Sequence, residues 1–153
     1  MTLDPTYSEE YVTKSIKKYL IDTLYTTDGI FIQFGVLDKS PVSVVGADIT
    51  QWIVFHLNGV EVDGGAARYS VDCYVFTRKD IDAHLLFRLR DKLLDRLVDT
   101  TTSDGKKRIP IYNNSGIAVG GVVSSVLTEY STELDQDRSL HKRITVVFDY
   151  GVK

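Results

Sequence analysis

Apolar and polar positions recur along this chain with two different periods, and the switches between them mark its elements. Val12, Ile16, Tyr19, Leu20 and Leu24 return every three or four residues, which lines them up on one helical face. Lys14, Lys17 and Lys18 stay mostly off that face. Thr6 and Glu9 form a Thr-x-x-Glu capping box just ahead of it. Gly29, in "TTDG", offers the positive φ on which a helix stops.

Period two then takes over. "GIFIQFGVL" puts Ile30, Ile32, Phe34 and Val36 on one side, and "TQWIVFHL" is a second β-rich run. Pro41 and Gly46 punctuate the segment between them. Asn58-Gly59 and Asp63-Gly64 are turn pairs, so "NGVEVDGGAA" reads as a projecting hairpin or a flexible loop. In "ARYSVDCYVFTRK", Tyr69, Val71, Cys73 and Val75 alternate with Ser70, Asp72, Tyr74 and Phe76. The run from about Gln51 to Lys79 therefore predicts two long antiparallel strands.

A second helix is expected from an Asp80 N-cap to about Val98, with Leu85, Leu86, Leu89, Leu93 and Leu97 as its buried stripe. Phe87 and Leu94 lie far around from that stripe. At 100° per residue they widen the apolar arc to roughly 200°, well beyond what a half-buried helix needs. Something should cover a second flank. The last third is β again: "RIPIYNN", where Pro110 suggests an edge, then "GGVVSSVLTEYSTE", a turn at "LDQDRS", and "HKRITVVFDYG". In that final strand Ile144, Val146, Phe148 and Tyr150 share one face. The order α-β-β-β-α-β-β-β predicts one α+β domain over residues 1–153. Its sheet is mixed and mainly antiparallel, with two principal helices packed on it.

Composition narrows the function classes. Hydrophobic content of 43% and charged content of 25% suit a globular chain. No apolar run approaches the roughly 20 residues of a membrane span, and "MTLDPTYSEEYV" lacks the pattern of a secretion signal. The single cysteine, Cys73, cannot form an internal disulfide, which points to a reducing cytoplasm as the place of synthesis. A net charge of −3 argues against a dedicated nucleic-acid binder. The one basic cluster, Lys106-Lys107-Arg108, follows "TTTSDG" and reads as a solvated loop.

Catalytic chemistry is not spelled out. His56, His84 and His141 lie far apart and fall in no zinc motif. Asp135-Gln136-Asp137 lacks the further ligands of a calcium loop and reads as a hairpin tip. Gly64-Gly65 and Gly120-Gly121 belong to no phosphate-binding pattern, and there is no nucleophile elbow. The expectation is a non-enzymatic protein with no metal and no cofactor. Nine tyrosines among the aromatic residues suit surfaces that are buried at one end and wet at the other.

The succession of elements resembles the tail terminator proteins of long-tailed bacteriophages. The resemblance is carried by the N-terminal amphipathic helix and by "RYSVDCYVFTRKD" running straight into "IDAHLLFRLRDKLLDRLVD". The short "IPIYN" strand and the closing pair "VVSSVLTEYSTE" and "KRITVVFDYGV" complete it. The resemblance implies a structural protein of the virion tail or neck, made in the host cytoplasm. Six copies would form a ring that caps the tail tube. The ring's implied partners are itself, the tube protein, the head-tail connector and, in a contractile tail, the sheath. DNA would pass through unbound, and no membrane is involved. Val62, Phe87, Leu94, Lys106, Lys107, Arg108 and Tyr150 are the candidate interface residues. The Val62 region and Thr100 to Lys107 are expected to be mobile until a partner orders them. The alternatives are another neck adaptor or a non-viral, monomeric α+β binding module.

Overall fold

The structure, a computed structural model, describes residues 8–35, 49–63, 66–135 and 139–151. Several sequence expectations fall outside them: the Thr6 half of the capping box, Val36, the punctuation at Pro41 and Gly46, Gly64-Gly65, and the Gln136-Asp137 tip. The side chain of Val62 is also outside.

Helix α1 spans Glu9–Leu20. Its observed cap is Ser8, whose Oγ accepts from the Tyr11 N–H at 3.2 Å. With Ser8 as the cap, Glu9 is the first helical residue and not the third. Its Oε1 instead accepts from the Val60 N–H at 3.3 Å, tying the helix start to a strand. Val12, Ile16 and Leu20 are buried as their spacing predicts. Beyond Leu20 the chain does not stop but widens into a π-helical segment, Ile21–Thr27. There the Thr23 and Thr27 hydroxyls donate to the carbonyls of Tyr19 and Asp22, competing with the regular ladder. Leu24 stays buried, and the turn ends at Gly29 with φ +70°.

The strands are β1 Phe31–Phe34, β2 Gln51–Asp63, β3 Ala66–Thr77, β4 Lys107–Tyr112, β5 Ala118–Glu129, β6 Glu133–Leu134 and β7 Leu140–Gly151. They form one sheet in the order β1-β2-β3-β7-β5-β4, with β6 also paired to β7. β1 runs parallel to β2, and every other pairing is antiparallel. The described part of "NGVEVDGG", up to Asp63, is strand and pairs with β3 from Ala66 on. Asn58-Gly59 is no turn, however: Gly59 sits at a register shift inside a continuous β2. With φ +93°, and with Glu9 Oε1 only 2.7 Å from where a Cβ would stand, glycine is required there.

The last strand lies inside the sheet. β7 pairs along its whole length with β3, from Ala66↔Gly151 to Thr77↔Leu140, and on its other side with β5 and β6. Pro110 lies in β4, an edge strand as its missing N–H suggests.

Helix α2 spans His84–Leu97, starting later than Asp80. Asp80 caps it all the same: its carboxylate accepts from the Leu85 and Leu86 N–H groups at 3.1 and 2.8 Å across an intervening turn. Leu86, Leu89, Leu93 and Leu97 enter the core, while Leu85 is only half-buried. The helices share one face of the curled sheet with Tyr69, Val71, Cys73 and Val75 of β3 and with Ile144, Val146 and Phe148 of β7. The opposite face holds a smaller cluster of Trp52, Val54 and Phe76. α1 contacts both β2 and β4, and α2 lies over β3 and β7.

Candidate protein interface

The rigid frame comes first, because an interface is only as definite as the elements that carry it. Arg90 of α2 makes two hydrogen bonds to Glu129 of β5, at 2.6 and 2.8 Å, and Lys142 of β7 reaches the same carboxylate at 3.0 Å. The Arg90 guanidinium, with Lys142 beside it, holds the Glu129 carboxyl down to about 2 against the burial that opposes ionisation. Near the C-terminal end of α2, Arg96 grips Asp28 through a second forked pair of 3.0 and 2.6 Å. That bond lowers the Asp28 pKa, and the Tyr19 hydroxyl donates to the Arg96 carbonyl at 2.5 Å. α2 is thereby fixed at its middle to the sheet and near its C-terminal end to the residue that caps the π-helical segment.

On this frame the seven candidate residues separate. Phe87 remains 47% exposed, facing away from the leucine stripe. Leu94 is partly buried and packs against the core, so only one half of the wide apolar arc is left open. Tyr150 is a correction. It is 6% exposed within the core, its hydroxyl pushed up to about 12 by burial and by the nearby Glu9 and Tyr69, and it offers no surface. Lys106-Lys107-Arg108 is not a loop. Lys106 is bridged to Val98, and Lys107 and Arg108 open β4. The backbone of Val62 pairs with Ala67 in the β2–β3 hairpin. Thr100 to Gly105 form a closed loop: the Asp99 N–H donates to the Gly105 carbonyl at 3.0 Å, and the Asp99 carboxylate accepts from Thr101. Leu94 and Tyr150 thus belong to the core, while Phe87 is exposed on α2 and the basic cluster lies at the start of β4.

The structure exposes other apolar groups that sequence reasoning passed over. Ile81 is fully exposed, at 102%, and Leu127 and Leu134 are exposed on β5 and β6. Ile81 stands on the turn between β3 and α2. That turn is held by Asp80 and by Asp82, which accepts from the His84 N–H at 3.2 Å. Lys79 and Ala83 both take left-handed backbone there, with φ of 54° and 60°, a conformation costing about 1–2 kcal/mol per non-glycine residue. Leu127 lies beyond the end of the β4 pairing. The β4 pairing stops at Lys107↔Ser124, and Ser125 to Glu129 have β7 on one side and no strand on the other among the described residues. A register shift at Leu127 interrupts that free edge, a common protection against chance pairing. None of these features has a local sequence signal; each follows from which strand lies beside which.

Between α1 and β4 lies a cavity of about 80 Å³ lined by Tyr19, Ile109, Pro110 and Tyr112, together with Lys18 and Asp22. It borders a wider groove reached by Lys14, Asn113 and Asn114. The Ser15 hydroxyl accepts from the Tyr112 N–H at 2.9 Å, so α1 covers this edge of β4.

Among the described residues, no group of three or more His, Cys, Asp or Glu side chains could hold a metal ion. The histidines are separate: His56 meets the Gly35 carbonyl, His84 meets Arg88, and His141 lies between Asp135 and Glu133. Cys73 is buried, and burial raises its thiol pKa. No helix among these residues is long and apolar enough to cross a membrane.

No family model matches the chain, and no curated protein matches it in sequence. Solved structures do share its fold. One, a protein of unstated function, is 9% identical with a TM-score of 0.60 over 96% of both chains. Another belongs to the virion of a native gene transfer agent particle. It is 11% identical with a TM-score of 0.57, over 94% of this chain and 97% of that one. At such identities the likeness is one of fold: this chain has, over nearly its whole length, the α+β fold of a virion component.

Proposed function

We propose that the chain is a structural protein of a phage virion, and within it a tail terminator. Six copies form a ring on the head-proximal end of the tail tube, end its polymerisation and present a surface to the head connector. In a contractile tail the ring also meets the sheath. The observation that carries this reading is the end-to-end fold match to a chain of the gene transfer agent virion. The exposed Phe87 on a doubly anchored α2 adds to it, since repetition around closed symmetry covers such a flank. A net charge of −3 suits a channel that DNA slides through without being held. The role is non-enzymatic and needs no cofactor.

Electron microscopy of particles carrying this chain tests the reading. Six copies in a ring at the head-proximal end of the tail are expected; a single copy there, or none, overturns it. Phe87→Asp should block ring formation while the monomer stays folded. A stoichiometric metal in purified protein, with an activity lost on chelation, would refute the non-enzymatic role.

A further inference from the structure

We infer that each copy in the ring seats Ile81 in the cavity between α1 and β4 of its neighbour. The setting rests on the ring reading, but both halves of the contact are visible in the single chain. The projecting half is Ile81 itself, fully exposed on a short turn. Asp80 pins that turn by accepting from the Thr77 hydroxyl and from two N–H groups of α2. A group held out in this way loses little freedom on docking.

The receiving half is the cavity walled by Tyr19, Ile109, Pro110 and Tyr112. Its volume of about 80 Å³ equals two to three waters at about 30 Å³ each, the size class of a small aliphatic side chain. Charge agrees with the fit. Asp82, exposed beside Ile81, would approach Lys18 at the cavity and Lys14 on the bordering groove. Those lysines pair with Asp22 and Glu10 on the exposed side of α1, and such surface pairs re-form easily with a new partner.

Placement argues for a head-to-tail contact. The Ile81 turn follows Thr77, at the end of β3 that pairs with Gln51 and Leu140. β4 lies beside the other half of the sheet, where Val123 of β5 meets Asp149. Two separate patches on one chain, complementary to each other, form a heterologous contact, the kind that closes into rings. A two-fold dimer could use the same pair only reciprocally and would stop at two copies.

The test is oxidative trapping of the full chain carrying Ile81→Cys and Pro110→Cys at high protein concentration. The native Cys73 is buried and silent. A ladder of covalent oligomers ending at ring size is expected on a non-reducing gel, and it should be absent from either single variant. Adding Asp82→Lys should lower the ladder yield about fivefold, as loss of a rim charge pair does, and Lys18→Glu on top of it should restore part. A covalent dimer from Ile81→Cys alone would reveal a two-fold contact and overturn the inference. So would the absence of any ladder, because oxidation captures even briefly populated contacts. Six-copy rings on tails without the ladder would sink this contact and spare the ring. A ladder without rings on tails would sink the ring reading and leave the head-to-tail contact standing.

Discussion

β7 and β5 lie side by side, each twelve residues long, yet they meet opposite fates. β7 has a strand on both sides, and its helix-facing residues Ile144, Val146 and Phe148 are buried. Even Val147, on the other face, is only 2% exposed. β5 pairs with β7 only from Val123 to Glu129 and with β4 only from Ala118 to Ser124, so it has a strand on both sides just where the two overlap. There Ser124 is buried, its hydroxyl donating to the Leu97 carbonyl at 2.6 Å. In the second half Val126 and Leu127 stand in solvent. The difference shows how one sheet divides its work. The fully paired strand holds the monomer together, and the half-paired one leaves apolar surface that the monomer does not use.

Substitutions along the two strands should reproduce that gradient. Phe148→Ala, in the centre of β7, should cost about 3–5 kcal/mol in urea unfolding, because a buried ring leaves a cavity that the sheet cannot close. A loss under about 1 kcal/mol would mean that β7 is not the spine of the fold.

Arg90→Ala comes next, at about 1–2 kcal/mol, since it strips two charge-assisted hydrogen bonds from the end of β5. Glu129 gives this anchor a pH signature. Its folded pKa is depressed to about 2 from an ordinary 4.5, so its contribution is complete above about pH 4.5 and fades as pH falls toward 2. Glu129→Gln should flatten the stability curve in that window and leave the slope between pH 5 and 8 unchanged. An equally steep acid limb in the variant would show that the anchor is not what titrates.

Ser124→Ala, in the covered half of β5, should cost about 1 kcal/mol through the unpaired Leu97 carbonyl. Leu127→Ser, three residues on, should change stability by less than about 0.5 kcal/mol. Equal losses for these two, measured in the same denaturant series, would erase the distinction between the halves of the strand.

Much of this arrangement is legible in residue order. The α1 face, the alternation of β3 and β7, the leucine stripe of α2 and the edge position of Pro110 are all visible without coordinates. They rest on periodicity, which reports burial of the element that carries it. The errors have physical causes too. Gly59 resembles a turn because the glycine chemistry of a bulge is that of a hairpin. The displaced start of α2 escaped notice because Asp80 reaches its N–H groups across the Ile81 turn. Tyr150 shares the core-facing parity of Phe148, yet its polar tip and its place near the chain end suggested an interface. The candidate interface was the least legible part. Of the seven residues assigned to it, Phe87 keeps an exposed apolar surface, while Ile81 and Leu127 carried no pattern at all.

By itself the sequence determined which residues face inward within each element, because a side chain's direction follows from the local period of its own backbone. It also determined the α+β class and the absence of a recognisable catalytic motif. Only the tertiary structure decided that β1 runs parallel to β2, that the last strand is internal, and that β4 ends before β5 does. Those are relations between segments far apart in the chain, set by the pairing of backbone groups that are nearly the same at every position. Exposure of an apolar residue is of this kind: Leu127 and Val146 read alike in sequence, and only Val146 lies in the core that the helices cover.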